Sequence, residues 1–536
     1  MGLFMRLGLV CLTISALLIV GVWAFLGRPH VMPRSPVAEG GKLYCLSYAP
    51  FQGRQTPLDP STMIPAAQIE ADIASLARIT NCVRVYSTDF GLDQIAGIAA
   101  RHGLKVLQGL WLSSNPAKNK IQVDDAVRLA ETYPGTIIAV IVGNEVLLRG
   151  DMAAADLAAT IRAVKARVKV PVTYADVWEF WLRNPDVAAA ADFITIHILP
   201  YWEDFPIPAR NAAAHVDAIR RQVVKAFAPK EVIIGEVGWP SQGRMREGAL
   251  PSPSNQARVI QEVLALAARD NVRVNVIEAY DAPWKRALEG VVGGYWGLFD
   301  DATRAMKFKW GEPVSDHPYW KAQAAGGVIF AVIVFGAAFA ARRGNPVPLT
   351  LWLAVSACAI AGGVTAGWTL VNVPVESIGA GGWARLMALA AVALLTPPVM
   401  SAAIMRGTPM PSMTRIIGPA DHRSRDPLTL LMGAIAIASL LLTFIIALAL
   451  VFDARYRDFP FAPLTAVAVP LLVHGLVVKH ASGARGAAEV AGAAVLLMSV
   501  PYIVFNETFA NWQSLWLCAM LVVFAISLLR VRDARS

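Results

Sequence analysis

The chain has 536 residues, 56% of them hydrophobic, with a mean hydropathy of +0.49. That excludes an ordinary soluble protein of this length and calls for a membrane-embedded part. The formal charge of +9 comes largely from arginines in short loops between apolar blocks, so no nucleic-acid partner is expected.

In chain order, the first element is an apolar block at about Phe4–Leu26, with Arg6 ahead of its apolar core. It reads as an uncleaved signal anchor. A cleaved signal peptide is the alternative, but the core is long for that role and no clear Ala-x-Ala site follows. From residue 36 to 318, short β-forming runs alternate with amphipathic segments. The predicted strands are Lys42–Tyr48, Cys82–Tyr86, Lys105–Leu110, Ile137–Val142, Val170–Tyr174, Phe193–Ile198, Val232–Gly235 and Val274–Ala279. Predicted helices include Ala66–Ile79, Asp124–Tyr133, Ala153–Lys169, Asn211–Ala226 and Ser254–Asp270. Eight strands with intervening helices in about 280 residues is the rhythm of a (β/α)8 TIM barrel. A doubly wound open sheet would carry a Gly-rich phosphate loop after an early strand, and none is visible. Cys45 and Cys82 fall on what read as adjacent strands. Two buried free thiols are the expectation, with a disulfide as the alternative in an oxidising compartment. No Cys/His spacing points to a metal, and no cofactor is expected.

Residues 319–536 read as a seven-span helical membrane domain, with blocks at about Ala322–Ala341, Leu349–Val371, Trp383–Met405, Leu428–Phe452, Phe461–Val478, Ala487–Phe505 and Ser514–Leu529. Cys11, Cys358 and Cys518 lie within spans as apolar filler. Arg342 and Arg343, then Arg406, Arg415, Arg423 and Arg425, then Lys479 and Arg485, and finally Arg530, Arg532 and Arg535 occupy alternate loops and the tail. The other loops carry no net positive charge. The positive-inside rule then sets both termini in the cytoplasm and 36–318 outside it, with 1–35 as anchor and linker.

Within that outer region two carboxylates stand out. Glu145 follows the run Ile137-Ile138-Ala139-Val140-Ile141-Val142, and Glu236 follows Glu231-Val232-Ile233-Ile234. In a parallel barrel both lie at the C-terminal ends of strands, four and seven, where barrel chemistry is located. Two carboxylates projected into one pocket are the minimal equipment for cleaving a glycosidic bond. Asn144 is placed to hydrogen-bond a sugar 2-hydroxyl. Arg84 on strand two is a candidate to keep Glu236 charged. Seven tryptophans, Trp111, Trp178, Trp181, Trp202, Trp239, Trp284 and Trp296, mostly follow strands. Trp239 and Trp284 are the expected sugar platforms, with Trp202 next.

Five segments in order, Val83-Arg84-Val85-Tyr86, Val142-Gly143-Asn144-Glu145-Val146-Leu147, Gly235-Glu236-Val237-Gly238-Trp239-Pro240-Ser241, Tyr280-Asp281-Ala282-Pro283-Trp284-Lys285 and Tyr295-Trp296-Gly297-Leu298-Phe299, resemble glycoside hydrolase family 17. These are the β-1,3-glucanases and β-glucanosyltransferases. The resemblance covers residues 41–312. It implies a retaining double displacement with Glu145 as general acid/base and Glu236 as nucleophile. Glu145 should then have its pKa raised by its surroundings. The expected substrate contacts are Asn144, Arg84, Tyr86, His197, Tyr201, Trp202, Trp239, Tyr280, Trp284 and Lys285. Two positions depart from the family pattern. His197-Ile198-Leu199-Pro200-Tyr201 stands where Asn-x-Tyr-Pro-Tyr is usual, and Ala282 replaces the Glu of Asp/Asn-Glu-x-x-Lys. Glu278, two residues before Tyr280, is a candidate to replace that carboxylate in part.

The combined architecture resembles membrane proteins of rhizobia that act in cyclic β-(1,3),(1,6)-glucan synthesis. It implies a bacterial inner-membrane protein that remodels β-glucan by transfer, beside the lipid bilayer and a membrane glucan synthase. An endo-β-1,3-glucanase, and a non-catalytic glucan-binding scaffold for synthesis or export, are the alternatives.

Overall fold

A computed structural model of the chain describes residues 3–37, 40–342, 347–418, 426–479 and 483–532. Arg343, Arg423, Arg425 and Arg535, used above for orientation, lie outside the described residues. The chain forms two compact units. One comprises Pro29–Gly243 with Gly248–Val314, and the other Met1–Arg28, Arg244–Glu247 and Ser315–Ser536.

The first unit is a closed barrel of eight parallel strands. They are β1 (Cys45–Ser47), β2 (Cys82–Val85), β3 (Lys105–Leu110), β4 (Ile137–Asn144), β5 (Val172–Val177), β6 (Ile194–His197), β7 (Val232–Val237) and β8 (Val274–Val276). Each pairs with the next, and β1 pairs with β8 through Cys45↔Asn275 and Leu46↔Val276. The (β/α)8 architecture expected from the alternation of runs is present. Boundaries shift for local reasons. The helix expected from Asp124 begins at Pro116, because Asn115 caps it, accepting from the Ala117 and Lys118 amides at 3.1 and 3.3 Å. Ser252 likewise caps Pro253–Asp270 through the Asn255 amide. Both caps precede a proline, whose missing N–H costs nothing in a first turn.

Period-two alternation sorts the barrel interior into layers. The lower layer is apolar and buried, with Cys45, Cys82, Leu107, Ala139, Ile141, Ala175, Phe193 and Ile233 in one cluster. One strand period further toward the C-terminal ends, the same faces present Ser47, Arg84, Gly109, Thr195 and Gly235, and then Tyr86 and His197. A larger apolar cluster, including Ile69, Ile73, Val106, Leu157, Ile161, Val216 and Ile260, packs the outer strand faces against the helices. The dry lower layer leaves polar side chains only one rim to occupy.

Cys45 and Cys82 form a disulfide across β1 and β2, correcting the expectation of two free thiols. The strand register explains the pairing. Leu46 pairs with Val83, so the preceding residues of the two strands stand side by side inside the barrel.

Among the described residues of the second unit, seven helices are long and apolar enough to cross a membrane: Arg6–Leu26, Trp320–Ala341, Leu349–Glu376, Gly379–Arg406, Pro427–Phe452, Ala487–Glu507 and Trp512–Leu529. An eighth apolar helix, Phe461–Val477, has 17 residues, at the short end of the range for a span. Cys11, Cys358 and Cys518 are buried free thiols, as expected of apolar filler.

The disulfide closes a loop with a sequence separation of 37. Replacing both Cys45 and Cys82 by alanine is expected to destabilise the barrel by about 2–4 kcal/mol. Thermal unfolding of the full chain, with and without reductant, checks this. A reductant-insensitive midpoint in the parent chain contradicts it.

Candidate active site

Glu145 leaves β4 with a left-handed backbone, φ 52°, just after Gly143 at φ 88°. A Cβ on Gly143 would lie 2.6 Å from Val146 Cγ2, so the turn that aims Glu145 inward requires glycine there. The Glu145 amide still donates to the Ala175 carbonyl at 2.8 Å, which ties the turn to β5. Glu236 needs no turn. It lies within β7, and its neighbour Gly235 allows close approach: a Cβ there would be 2.4 Å from Thr195 Cγ2 and 3.2 Å from His197 Cδ2.

The two carboxylates meet. One oxygen of each lies within 4.8 Å of the other and of a His197 ring nitrogen. That matches the roughly 5–5.5 Å of retaining glycosidases rather than the roughly 6.5–9.5 Å of inverting ones. Glu145 is 22% exposed in its side chain and Glu236 only 6%, so the deeper group faces the smaller opening.

Arg84 occupies the centre. Its Nη1 donates to the Gly235 carbonyl at 2.6 Å and to Glu236 Oε1 at 3.1 Å and lies 3.2 Å from His197 Nε2, while Nη2 donates to Asn144 Oδ1 at 2.5 Å. A full positive charge thus rests against Glu236. Tyr86 donates a second bond to the same oxygen, Oη to Oε1 at 2.8 Å. Glu145, His197 and Glu236 have metal-ligand atom types, but the guanidinium already donates into that group. The arrangement suits a proton better than a divalent ion.

Behind Tyr86 runs a directed chain. Asn275 Nδ2 donates to Ser47 Oγ at 2.7 Å, and Ser47 is 2.7 Å from Tyr86 Oη. Since the one Tyr86 hydroxyl proton goes to Glu236, the Ser47 hydroxyl, which accepts from Asn275, donates its own proton to Tyr86. Neither Ser47 nor Asn275 was singled out from sequence. Their signal was polar residues at inward positions of strands that otherwise read as apolar.

Glu145 departs from the expected direction. Burial pushes its carboxyl up, but the hydrogen bond from His197 at 2.8 Å and the electrostatic pull of His197, Arg84 and Arg149 outweigh it and hold it below the usual carboxylate range. The raised carboxyls are its neighbours. Asp176 at the end of β5 is pushed up to about 6 by burial, opposed by a bond from the Tyr174 hydroxyl and reinforced by Glu145. Glu289 is pushed up to about 7 by burial, opposed by Lys285 and reinforced by Glu278, Glu145 and Glu236. Sequence reasoning missed both, since each is one acidic residue among many in polar-looking stretches.

The expected sugar contacts divide by exposure. Arg84, His197, Tyr201, Trp239 and Tyr280 are buried and present no usable face to a sugar. Trp239 donates its Nε1 to the Leu250 carbonyl and packs on Tyr201, while Tyr280 lies under the Arg304 guanidinium. These five are supports rather than platforms. Tyr86, Trp202, Trp284 and Lys285 keep partial exposure, and Asn144 sits at the edge of burial. Trp111, just past β3, is 38% exposed with Arg149 stacked 4.2 Å from its ring centroid. It is a better placed platform than Trp239. Lys285 binds both oxygens of buried Glu278 at 2.9 Å, so a carboxylate does stand near Ala282, supplied from β8's edge.

Arg84→Met leaves Glu236 buried with its compensating charge removed, a change that typically costs about 3–5 kcal/mol. A fall in the barrel's thermal midpoint, together with loss of activity, is the expected result. Arg84→Lys keeps charge but not the planar fork, and is expected to recover only part of the stability.

Residues 45–297 match the family model of the BtgE/BtgC glycoside hydrolase domain, a span that includes all eight strands. A glucan 1,3-beta-glucosidase of Candida albicans is 26% identical over 272 residues, covering 47% of this chain and 88% of that protein. The btgC protein of Aspergillus niger is 27% identical over 290 residues, covering 48% of this chain. The chain spans only 40% and 39% of the lengths of the Aspergillus niger and Aspergillus clavatus btgC proteins. Among solved structures, a glycoside hydrolase family 17 β-1,3-glucanosyltransferase of Rhizomucor miehei is 24% identical with a TM-score of 0.44, covering 49% of this chain and 95% of that one. These relatives are fungal, and none of them bears on the rhizobial likeness noted in the sequence. Over residues 45–297 the barrel is thus similar to a glycoside hydrolase domain.

Proposed function

We propose that the chain is a membrane-anchored, retaining β-glucan transglycosylase. The observation that carries this is the close approach of the Glu145 and Glu236 oxygens, within 4.8 Å, with Arg84 and Tyr86 both donating to Glu236 Oε1. In the first step protonated Glu145 gives its proton to the departing glycosidic oxygen while Glu236 attacks the anomeric carbon from the opposite face. A glycosyl ester on Glu236 results. In the second step Glu145 takes a proton from an acceptor hydroxyl, which displaces Glu236. With a sugar hydroxyl as acceptor the product is a longer, branched or cyclic glucan; with water it is a hydrolysed one.

β-1,3-Glucan as substrate is supported by the names of the relatives, several of which are glucan 1,3-beta-glucosidases. Those names equally favour hydrolysis, which is the second reading. Transfer is favoured by the anchoring. Apolar helices on both sides of the barrel in sequence hold it where newly exported glucan is concentrated, and a tethered enzyme meets such a chain at high effective concentration. Placement of the barrel on the outer face of a bacterial inner membrane, beside a glucan synthase, rests on the arginine distribution. The Cys45–Cys82 disulfide also suits an oxidising compartment.

The test is incubation of the full chain, in detergent, with reducing-end-labelled laminari-oligosaccharides. Products longer than the substrate are expected. Shorter products alone would establish hydrolysis, and binding with an unchanged ladder would favour the scaffold. Glu236→Gln is expected to abolish both activities, and Trp111→Ala to raise KM roughly two- to tenfold, as loss of one aromatic contact would. For orientation, a cysteine introduced at exposed Lys118 is expected to react with a membrane-impermeant maleimide in intact spheroplasts. Reaction only after lysis would reverse the topology.

A further inference from the structure

His197 closes β6 fully buried, so it has no face for a sugar, yet it touches both carboxylates' surroundings. Its Nδ1 lies 2.8 Å from Glu145 Oε1. Its Nε2 lies 3.2 Å from Arg84 Nη1 and 3.6 Å from Glu236 Oε1. A guanidinium has N–H donors and no acceptor. The ring nitrogen that faces Arg84 finds no acceptor on it, whereas Nδ1 faces a carboxylate oxygen, so a ring proton is placed on Nδ1. This assigns the tautomer from the hydrogen-bond network.

From this geometry we infer that His197 is a positioning residue for the acid/base group: pinned by Arg84 in its Nδ1–H tautomer, it occupies Oε1 of Glu145 and directs the transferable proton onto Oε2. The inference rests on Glu145 being the acid/base of the proposed reaction. An oxygen that accepts a hydrogen bond is the carbonyl-like oxygen of a protonated carboxyl, which leaves the other to carry the proton. Among the described residues His197 is the one side chain that donates to the Glu145 carboxyl. The proton leaves Oε2 for the glycosidic oxygen and returns to Oε2 from the acceptor hydroxyl. His197 keeps its own proton throughout.

The charged groups around the pair come from several elements. Arg84 (β2) and Asp176 (β5) face both residues, Glu236 (β7) faces Nε2, and Arg149 and Glu289 from the rim loops face Glu145. Arg84 and Arg149 make Glu145 a stronger acid, and Asp176, Glu236 and Glu289 a weaker one when ionised. The bond from His197 adds to the first group. Removing it lets Glu145 hold its proton to higher pH. The first step needs that proton, so the alkaline limb of activity moves up.

The experiment is the pH profile of kcat/KM for laminari-oligosaccharide turnover by the full chain in detergent. In His197→Leu the alkaline limb is expected to rise by about 1 to 2 pH units, the size of one hydrogen bond to a charged group, with a lowered kcat. His197→Asn places an amide nitrogen where Nδ1 was, and is expected to return the limb to its parent position. Should the leucine variant fail to accumulate, His197→Ala carries the same expectation. An unmoved limb in the leucine or alanine variant overturns the inference, as does a limb in His197→Asn that rises equally far. Those outcomes leave the proposed reaction standing, whereas a parent chain that binds oligosaccharide without turning it over at any pH overturns both.

Discussion

The site depends on one buried cation. Arg84 is 1% exposed, and its guanidinium reaches groups on β4, β6 and β7 from its own place on β2. Taking such a charge out of water is costly unless every N–H and the charge itself find partners. Here Glu236 supplies the charge, and Asn144 and the Gly235 carbonyl supply acceptors to Nη2 and Nη1, while the buried Nε finds none among the described residues. The planar fork matters as much as the charge, because two nitrogens bridge groups on opposite sides of the barrel axis. Each of those partners is thereby fixed in one orientation. Asn144 turns its amide, His197 its ring, and Glu236 its Oε1 toward the same point.

The barrel makes this convergence possible. Inward-facing positions recur every second residue on parallel strands of one register, so residues at equal height form a layer. The lower layer contains apolar side chains and the Cys45–Cys82 disulfide, and it excludes water from beneath the ions. Gly235 is an interior position where a Cβ would lie 3.2 Å from His197 Cδ2, and its absence leaves volume for the imidazole. Small residues on some strands and large polar ones on others are one packing solution.

Much of this was legible in the sequence, and the limits have physical causes. Strand runs rich in Ile and Val fixed the barrel, and short motifs around Glu145 and Glu236 marked the paired carboxylates, because both signals are local. Burial is not local. Trp239 and Tyr201 follow strands just as Trp111 does, yet they pack on each other, and Tyr201 also on Trp296, while Trp111 stays open beside Arg149. Whether a rim tryptophan is a platform or a wall depends on which loop folds over it. The direction of the Glu145 shift was hidden for the same reason. A carboxyl in an apolar pocket rises, but this one is met by a histidine from β6, some fifty residues away in sequence. The Cys45–Cys82 pairing was undetermined until strand register placed the two thiols side by side. In the helical unit, length and hydropathy located the apolar helices directly, with Phe461–Val477 shorter than the rest.

The charge inventory bears on the chemistry proposed. Around the anomeric position the site gathers five carboxyl groups, those of Glu145, Asp176, Glu236, Glu278 and Glu289, against the cations of Arg84, Arg149 and Lys285. So many carboxylates cannot all ionise cheaply at short range, and the consequence is visible in Asp176, Glu278 and Glu289, all pushed upward with burial as the leading cause. The same crowding favours a cationic guest. Glycosidic cleavage passes through an oxocarbenium-like state, positive at the anomeric carbon, and fixed dipoles and charges aimed at developing charge stabilise a transition state more than a neutral ground state. An acidic cleft around one central arginine therefore serves two needs. Arg84 keeps the folded, unliganded site from repelling itself. In the proposed reaction the surplus of carboxyl groups acts most strongly as the sugar ring becomes positive.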